Sequence, residues 1–220
     1  MPKSPQLPTS SVDEIPLSGR RQQAARNDEL ILEAARAVFV DDPSAPISDV
    51  AKRAGVGISA LYTRYGSKED LLRKLCHDGL QLFVDETEAA LADDGDDWEV
   101  WSRYMRRLVD ADTSSLTLAL AGKFTPTPDM YALAERANDL SRQLFDRIRP
   151  QLRPEIDVHD VSLVFELVAA IRLAGRERTR ELRRRYLGVI LDGLRAANAE
   201  REPLPAPPPT WQEINARWQA

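Results

Sequence analysis

Residues 47–65 read Ile47-Ser48-Asp49-Val50-Ala51-Lys52-Arg53-Ala54-Gly55-Val56-Gly57-Ile58-Ser59-Ala60-Leu61-Tyr62-Thr63-Arg64-Tyr65, and the fold turns on how this stretch bends. Two short helices meet at a glycine. Ser48 is placed to cap the first by accepting a bond from a backbone N–H two or three residues on. Val50, Ala51 and Ala54 then face inward, and Ala51 is small enough to let the second helix come close. Gly55 falls just past the helix end, where a left-handed backbone costs glycine least, and Val56 fills the corner. In the second helix Leu61 and Tyr65 form the core face. Ile58, Ser59, Ala60, Thr63 and Arg64 are left free to meet a partner. A helix-turn-helix uses this arrangement to lay its second helix in the major groove of DNA.

Outward from that stretch the chain reads as helix almost throughout. Gly66-Ser67-Lys68-Glu69-Asp70 starts another helix, with Ser67 and Asp70 at capping-box spacing and Lys68 beside free N–H groups that suit a phosphate. Upstream, Ile31, Leu32, Ala34, Ala35 and Phe39 form one inward face. Start and stop signals predict helices at 22–41, 48–54, 58–65, 68–92, 97–112, 115–122, 128–149, 158–174 and 178–197. Leu, Ala, Arg and Glu recur at helical spacing and period-2 runs are missing, so the fold class is all-α, built as bundles. Of 15 prolines, four lie at 2, 5, 8 and 16 and five at 203, 205, 207, 208 and 209. This divides the chain into a disordered leader (1–19), a helix-turn-helix domain (20–75), a second helical domain (76–200) and a Pro-rich linker with a short tail (201–220).

Composition narrows the function. The 220 residues are 43% hydrophobic and 30% charged, with a net charge of -5, as expected of a soluble globular protein. Residues 20–76 nevertheless carry a net of +2 and residues 77–201 a net of -5, which confines any nucleic-acid contact to the N-terminal part. Cys76 is the only cysteine and there are two histidines, so no intrachain disulfide forms and no Cys/His zinc set closes. Neither a signal peptide nor an apolar run of the roughly 18 residues a membrane span needs is present. The expected location is the cytoplasm, with no membrane partner. Without a phosphate loop, nucleophile elbow, metal set or convergent acid/base pair, no enzyme activity and no cofactor are expected.

The run from Ile47 to Leu72 resembles the DNA-binding domain of TetR-family (tetracycline-repressor-like) regulators. The resemblance rests on Ala54-Gly55-Val56, Leu61-Tyr62, Tyr65 and Ser67-Lys68-Glu69, and on the preceding inward face. Gly57, Tyr65 and Gly66 stand where members often carry a polar cap, a Phe and a Pro. The resemblance implies that Tyr62 and Lys68 contact DNA phosphates, that Ile58, Ser59, Ala60, Thr63 and Arg64 lie at the bases, and that Arg20 and Arg21 reach toward the minor groove. It also implies a helical ligand-binding and dimerisation domain, with a double-stranded operator, a small-molecule effector and a second copy of the chain as partners.

For the second domain, Trp101, Tyr104, Met105, Leu108, Phe124, Met130, Phe145 and Phe165 are the candidate pocket residues. Val161, Val164, Val168, Ile171, Leu182, Tyr186, Val189, Ile190 and Leu194 are the candidate dimer face, since the family pairs its last two helices across subunits. In the tail, Trp211, Ile214 and Trp218 recur on one helical face and are expected to dock on the bundle. The expected function is a ligand-responsive regulator, a repressor released from a pseudo-palindromic operator by an apolar or amphipathic effector. The alternative is a helical adaptor that uses the helix-turn-helix for protein contacts.

Overall fold

The structure, a computed structural model, describes residues 19–173, 175–196, 204 and 207–215; side chains are described from Ala25 onward and not at 214 or 215. The helices are α1 (Gly19–Asp41), α2 (Ile47–Ala54), α3 (Ile58–Tyr65), α4 (Lys68–Ala92), α5 (Asp97–Ala111), α6 (Thr113–Leu120), α7 (Pro128–Ile148), α8 (Val158–Ala169), α9 (Arg176–Leu194) and α10 (Trp211–Asn215). A 3-10 turn, Arg149–Gln151, follows α7. No strand occurs among the described residues.

Local chemistry sets the boundaries. Gly55 closes α2 at φ 67°, and its N–H and that of Val56 return to the carbonyls of Lys52 and Ala51, the left-handed cap only glycine adopts freely. The Ser67 hydroxyl caps α4 by accepting from the Asp70 N–H at 3.0 Å. The Asp70 carboxylate answers the Ser67 hydroxyl rather than its N–H, so the reciprocal box is incomplete there. A complete one opens α8, between Asp157 and Asp160. Ser48 is not a cap, because α2 begins one residue earlier: Pro46 occupies the cap position, and burying Ile47 draws that residue into the first turn.

The buried residues fall into two groups. Ile31, Ala35, Phe39, Val50, Leu61, Leu71 and Leu75 fill the first, and Leu116 and Leu120 of α6, Phe124 of the connection after it and Met130 of α7 close it from beneath. Trp101, Met105, Leu108, Leu144, Ile148, Val168, Leu187 and Leu191 anchor the second. Helix α4 belongs to both. Its Leu71, Leu72 and Leu75 sit under the helix-turn-helix, while Phe83 and Leu91 pack on the second group. At 25 residues it is about 37 Å long, a rigid rod between the two.

Helix α8 stops at Ala169, short of the expected 174. Arg183 of α9 holds the ending. Buried to 6% exposure, its guanidinium donates to the carbonyls of Ala169 (2.8 Å) and Ile171 (3.1 Å), to Ser115 Oγ (3.0 Å) and to Asp112 Oδ1 (2.6 Å). The chain then reverses through Gly175 at φ 109°. Arg172, in the same connection, donates to the Val40 carbonyl at the end of α1, which ties the second bundle to the first.

The expected dimer face is out of register with the observed packing. Val164, Val168 and Leu194 are buried in the chain's own core, and Val161 lies against an internal cavity. Arg183, Leu187, Leu191 and Leu194 form the inward stripe of α9. Ile171, Leu182 and Ile190 are half-buried. Tyr186 and Val189 do face outward, joined by Leu167 and Leu173.

Candidate functional site

Helix α3 lies on the first core by Leu61 and Tyr65 alone, both buried. Every other side chain it carries is turned to solvent: Ile58, Ser59, Ala60, Tyr62, Thr63 and Arg64 are exposed. Tyr62 is 47% exposed, an apolar ring with a hydroxyl at its tip, well suited to a surface that meets a polyanion. Lys52 and Arg53 stand exposed in the last turn of α2, beside it. Thr63 spends its hydroxyl proton on the Ser59 carbonyl at 2.8 Å. Its oxygen can still accept.

Two of the expected contacts are already engaged. Lys68 does not stand open at the start of α4: its ammonium donates to the carbonyls of Ala45 (2.7 Å) and Pro43 (3.2 Å) and lies 5.1 Å from the centre of the Phe39 ring. It therefore pins the α1–α2 loop. Arg64 makes a two-pronged ion pair with Asp28 of α1, Nε to Oδ1 and Nη2 to Oδ2, each at 2.8 Å. Arg20 and Arg21 fall in the first turn of α1, their side chains outside the described residues.

Asp28, which sequence reasoning did not single out, also accepts from the Tyr65 hydroxyl. The Arg64 hydrogen bond holds its carboxyl below the usual carboxylate range. Burial and the bond to Asp28 push the Tyr65 phenol up. The sequence carries no local signal for this triad, because its members lie 36 and 37 residues apart.

In the second bundle a cavity of about 50 Å³ is lined by Phe83, Trp101, Tyr104, Ser141, Leu144, Phe145, Val158, Val161, Ser162 and Phe165. Four of the expected pocket residues share it: Trp101, Tyr104, Phe145 and Phe165. Met105 is core beside it, and Leu108 lines a smaller cleft next to Arg183. Phe124 and Met130 do not belong there, since they close the first core. Tyr104 and Thr87 share a buried hydroxyl–hydroxyl bond of 3.1 Å. Among the described residues, no charged side chain lines the cavity. It can thus offer aromatic faces and three hydroxyls, and no counter-ion.

The tail reaches this bundle. The Trp211 ring lies 6.3 Å from that of His159 on α8, and His159 Nδ1 is 2.7 Å from Asp157. Trp218 and the side chain of Ile214 lie outside the described residues. No helix among the described residues is long and apolar enough to cross a membrane.

Comparison with known proteins gives these features a context. Residues 31–75 match the model for bacterial regulatory proteins of the tetR family. Over 58 residues the chain is 43% identical to the HTH-type transcriptional repressor LfrR of Mycolicibacterium smegmatis, a match that spans 26% of this chain and 29% of that protein. The chain thus covers under a third of that curated relative. Solved structures extend the likeness to the whole fold. A TetR transcriptional regulator from Streptomyces coelicolor superimposes with a TM-score of 0.52 at 25% identity, covering 77% of this chain and 98% of that one. One from Mycobacterium vanbaalenii gives 0.51 at 25%, covering 80% and 99%. LfrR from Mycobacterium smegmatis, solved in complex with proflavine, gives 0.56 at 22%, covering 74% and 95%, and shows the fold. Residues 31–75 thus carry the helix-turn-helix of the tetR family, and the chain as a whole has the fold of TetR transcriptional regulators.

Proposed function

We propose that the protein is a ligand-responsive repressor that binds a pseudo-palindromic operator as a homodimer and is released by an uncharged apolar or amphipathic molecule. The observation that carries this reading is α3: two buried anchors on one side and six exposed residues on the other, within the segment that matches the family. Ile58, Ser59, Ala60, Thr63 and Arg64 lie at the base edges and Tyr62 at a phosphate. Arg20 and Arg21 extend from α1 toward the minor groove. Lys68 acts chiefly by fixing the α1–α2 loop and adds its charge at longer range.

A second copy of the chain covers Leu167, Tyr186 and Val189, with half-buried Ile171, Leu182 and Ile190 at the edges of that face. The effector enters between Phe83, Trp101, Tyr104, Phe145 and Phe165. At about 50 Å³ the cavity holds little more than water, whereas small-molecule pockets run to about 300–1,000 Å³. Binding must therefore part the helices, and Phe83 lies on the rod whose other end carries the helix-turn-helix. A ligand that favours the parted arrangement weakens DNA binding, and by linkage DNA weakens ligand binding by the same factor.

Selecting bound duplexes from a random-sequence pool tests the reading. The expected product is an inverted repeat whose half-sites lie about 34–36 Å apart along the axis, one turn of DNA, occupied by two chains. A pool that never converges contradicts it.

A further inference from the structure

The free surface of α3 contains one side chain whose donors are already sorted. A guanidinium has a side edge, made of Nε–H and one N–H of Nη2, and an end edge, made of Nη1 and the other N–H of Nη2. Asp28 takes the side edge of Arg64 with both carboxylate oxygens. The end edge is left unused by the described residues, on a side chain that remains 58% exposed while that of Asp28 is 18% exposed. Asp28 is itself held from a third direction, by the Tyr65 hydroxyl. The carboxylate is thus built into the α1–α3 contact, and Arg64 projects from it.

This geometry goes beyond a surface ion pair. A long, mobile side chain has been given one orientation before any partner arrives, and an end edge fits two acceptors side by side. In DNA such pairs are N7 and O6 of guanine, or two oxygens of one phosphate. We propose that Asp28 is a positioning residue for DNA recognition, holding Arg64 so that its end edge meets a pair of adjacent acceptors; this rests on α3 being the DNA-contacting helix. The carboxylate also sets a negative charge beside the contact. Where the pair belongs to a guanine, Asp28 sharpens discrimination, and where it belongs to a phosphate, Asp28 adds grip alone.

The test measures affinities of the wild type, Asp28→Asn, Tyr65→Phe and Arg64→Ala for the duplex selected by the wild type and for a scrambled duplex of the same composition. Asp28→Asn is expected to weaken binding of the selected duplex about tenfold: where the pair is a guanine's, the scrambled duplex is spared and the ratio of selected to scrambled affinity falls, and where it is a phosphate's, both affinities fall together. Arg64→Ala should do at least as much, and the double variant no more than Arg64→Ala alone, because both act through one group. Tyr65→Phe removes a bond to Asp28 but leaves the two-pronged pair, so its ratio should stay at the wild-type value even though its melting temperature falls. Replacing guanines by 7-deazaguanine, or single phosphates by methylphosphonates, identifies the pair: one class of substitution should weaken the wild type and leave Arg64→Ala unaffected. Insensitivity to both classes overturns the inference. So does an Asp28→Asn variant that keeps both affinities, or that binds the selected duplex more tightly, for Asp28 is then a prop of the fold or a lock on Arg64. In both cases the DNA-binding reading stands; a wild type that selects no sequence removes both together.

Discussion

Arg183→Met should lower the unfolding free energy by about 3–5 kcal/mol, the range found when one partner of a buried charged cluster is removed. The side chain is almost wholly buried and satisfies four acceptors from two places: Asp112 and Ser115 around the start of α6, and the carbonyls of Ala169 and Ile171 at the end of α8. Methionine fills much of the same volume and offers no donor. Asp112, 41% exposed at its side chain, can turn to water, so it contributes little to the loss. Ser115 is fully buried and cannot, and each stranded polar group of this kind costs about 1–3 kcal/mol. Urea unfolding with an unchanged m-value measures the effect. A loss below about 1 kcal/mol, the level of an exposed ion pair, would show that the cluster does not hold α6, α8 and α9 together.

Trp101→Ala should cost a similar amount, about 3–5 kcal/mol, for a different reason. The indole is buried and lies between the cavity and the core, tilted against Trp98 at 5.5 Å between ring centres. Truncation enlarges an apolar space that is already partly open, and the helices around it are pinned elsewhere by Arg147 and Arg183. Such a space, lined largely by aromatic rings, accepts small aromatic molecules. Adding indole should therefore raise the variant's melting temperature more than the wild type's, by mass action on the folded state. Equal shifts in the two proteins would mean that Trp101 does not border the space a ligand uses.

Much of this architecture is legible in residue order. The turn at Gly55, the cap at Ser67, the two anchors Leu61 and Tyr65 and the long helix from Lys68 follow from local rules of spacing and capping, and the structure has each of them. Misreading began where a polar residue sits in the core. An apolar pattern cannot mark Arg183, the first member of the inward stripe of α9, so the apolar positions 182, 186, 189 and 190 look like the packed face. The real stripe is 183, 187, 191 and 194. On α8, apolar side chains surround all but the narrow stripe of His159, Ser162 and Glu166, so periodicity does not tell Val164 and Val168 from Leu167. Phe124 and Met130 read as pocket residues because nothing local says which of two cores an apolar residue joins. The contacts that engage Lys68 and Arg64 span 23 to 36 residues, and only the folded chain brings them together.

Whether exposed α3 reads DNA is decided by the affinity of the intact protein for its selected duplex and for a scrambled one, measured across a series of salt concentrations. The logarithms of both affinities should fall linearly with the logarithm of salt concentration, because phosphates supply the shared part of the binding. The selected duplex should stay at least about 10³ tighter at physiological salt, and Tyr62→Ala should weaken both duplexes by the same factor, since a phosphate contact positions without specifying. Equal affinity for the two duplexes at every salt concentration would contradict a reading role for α3.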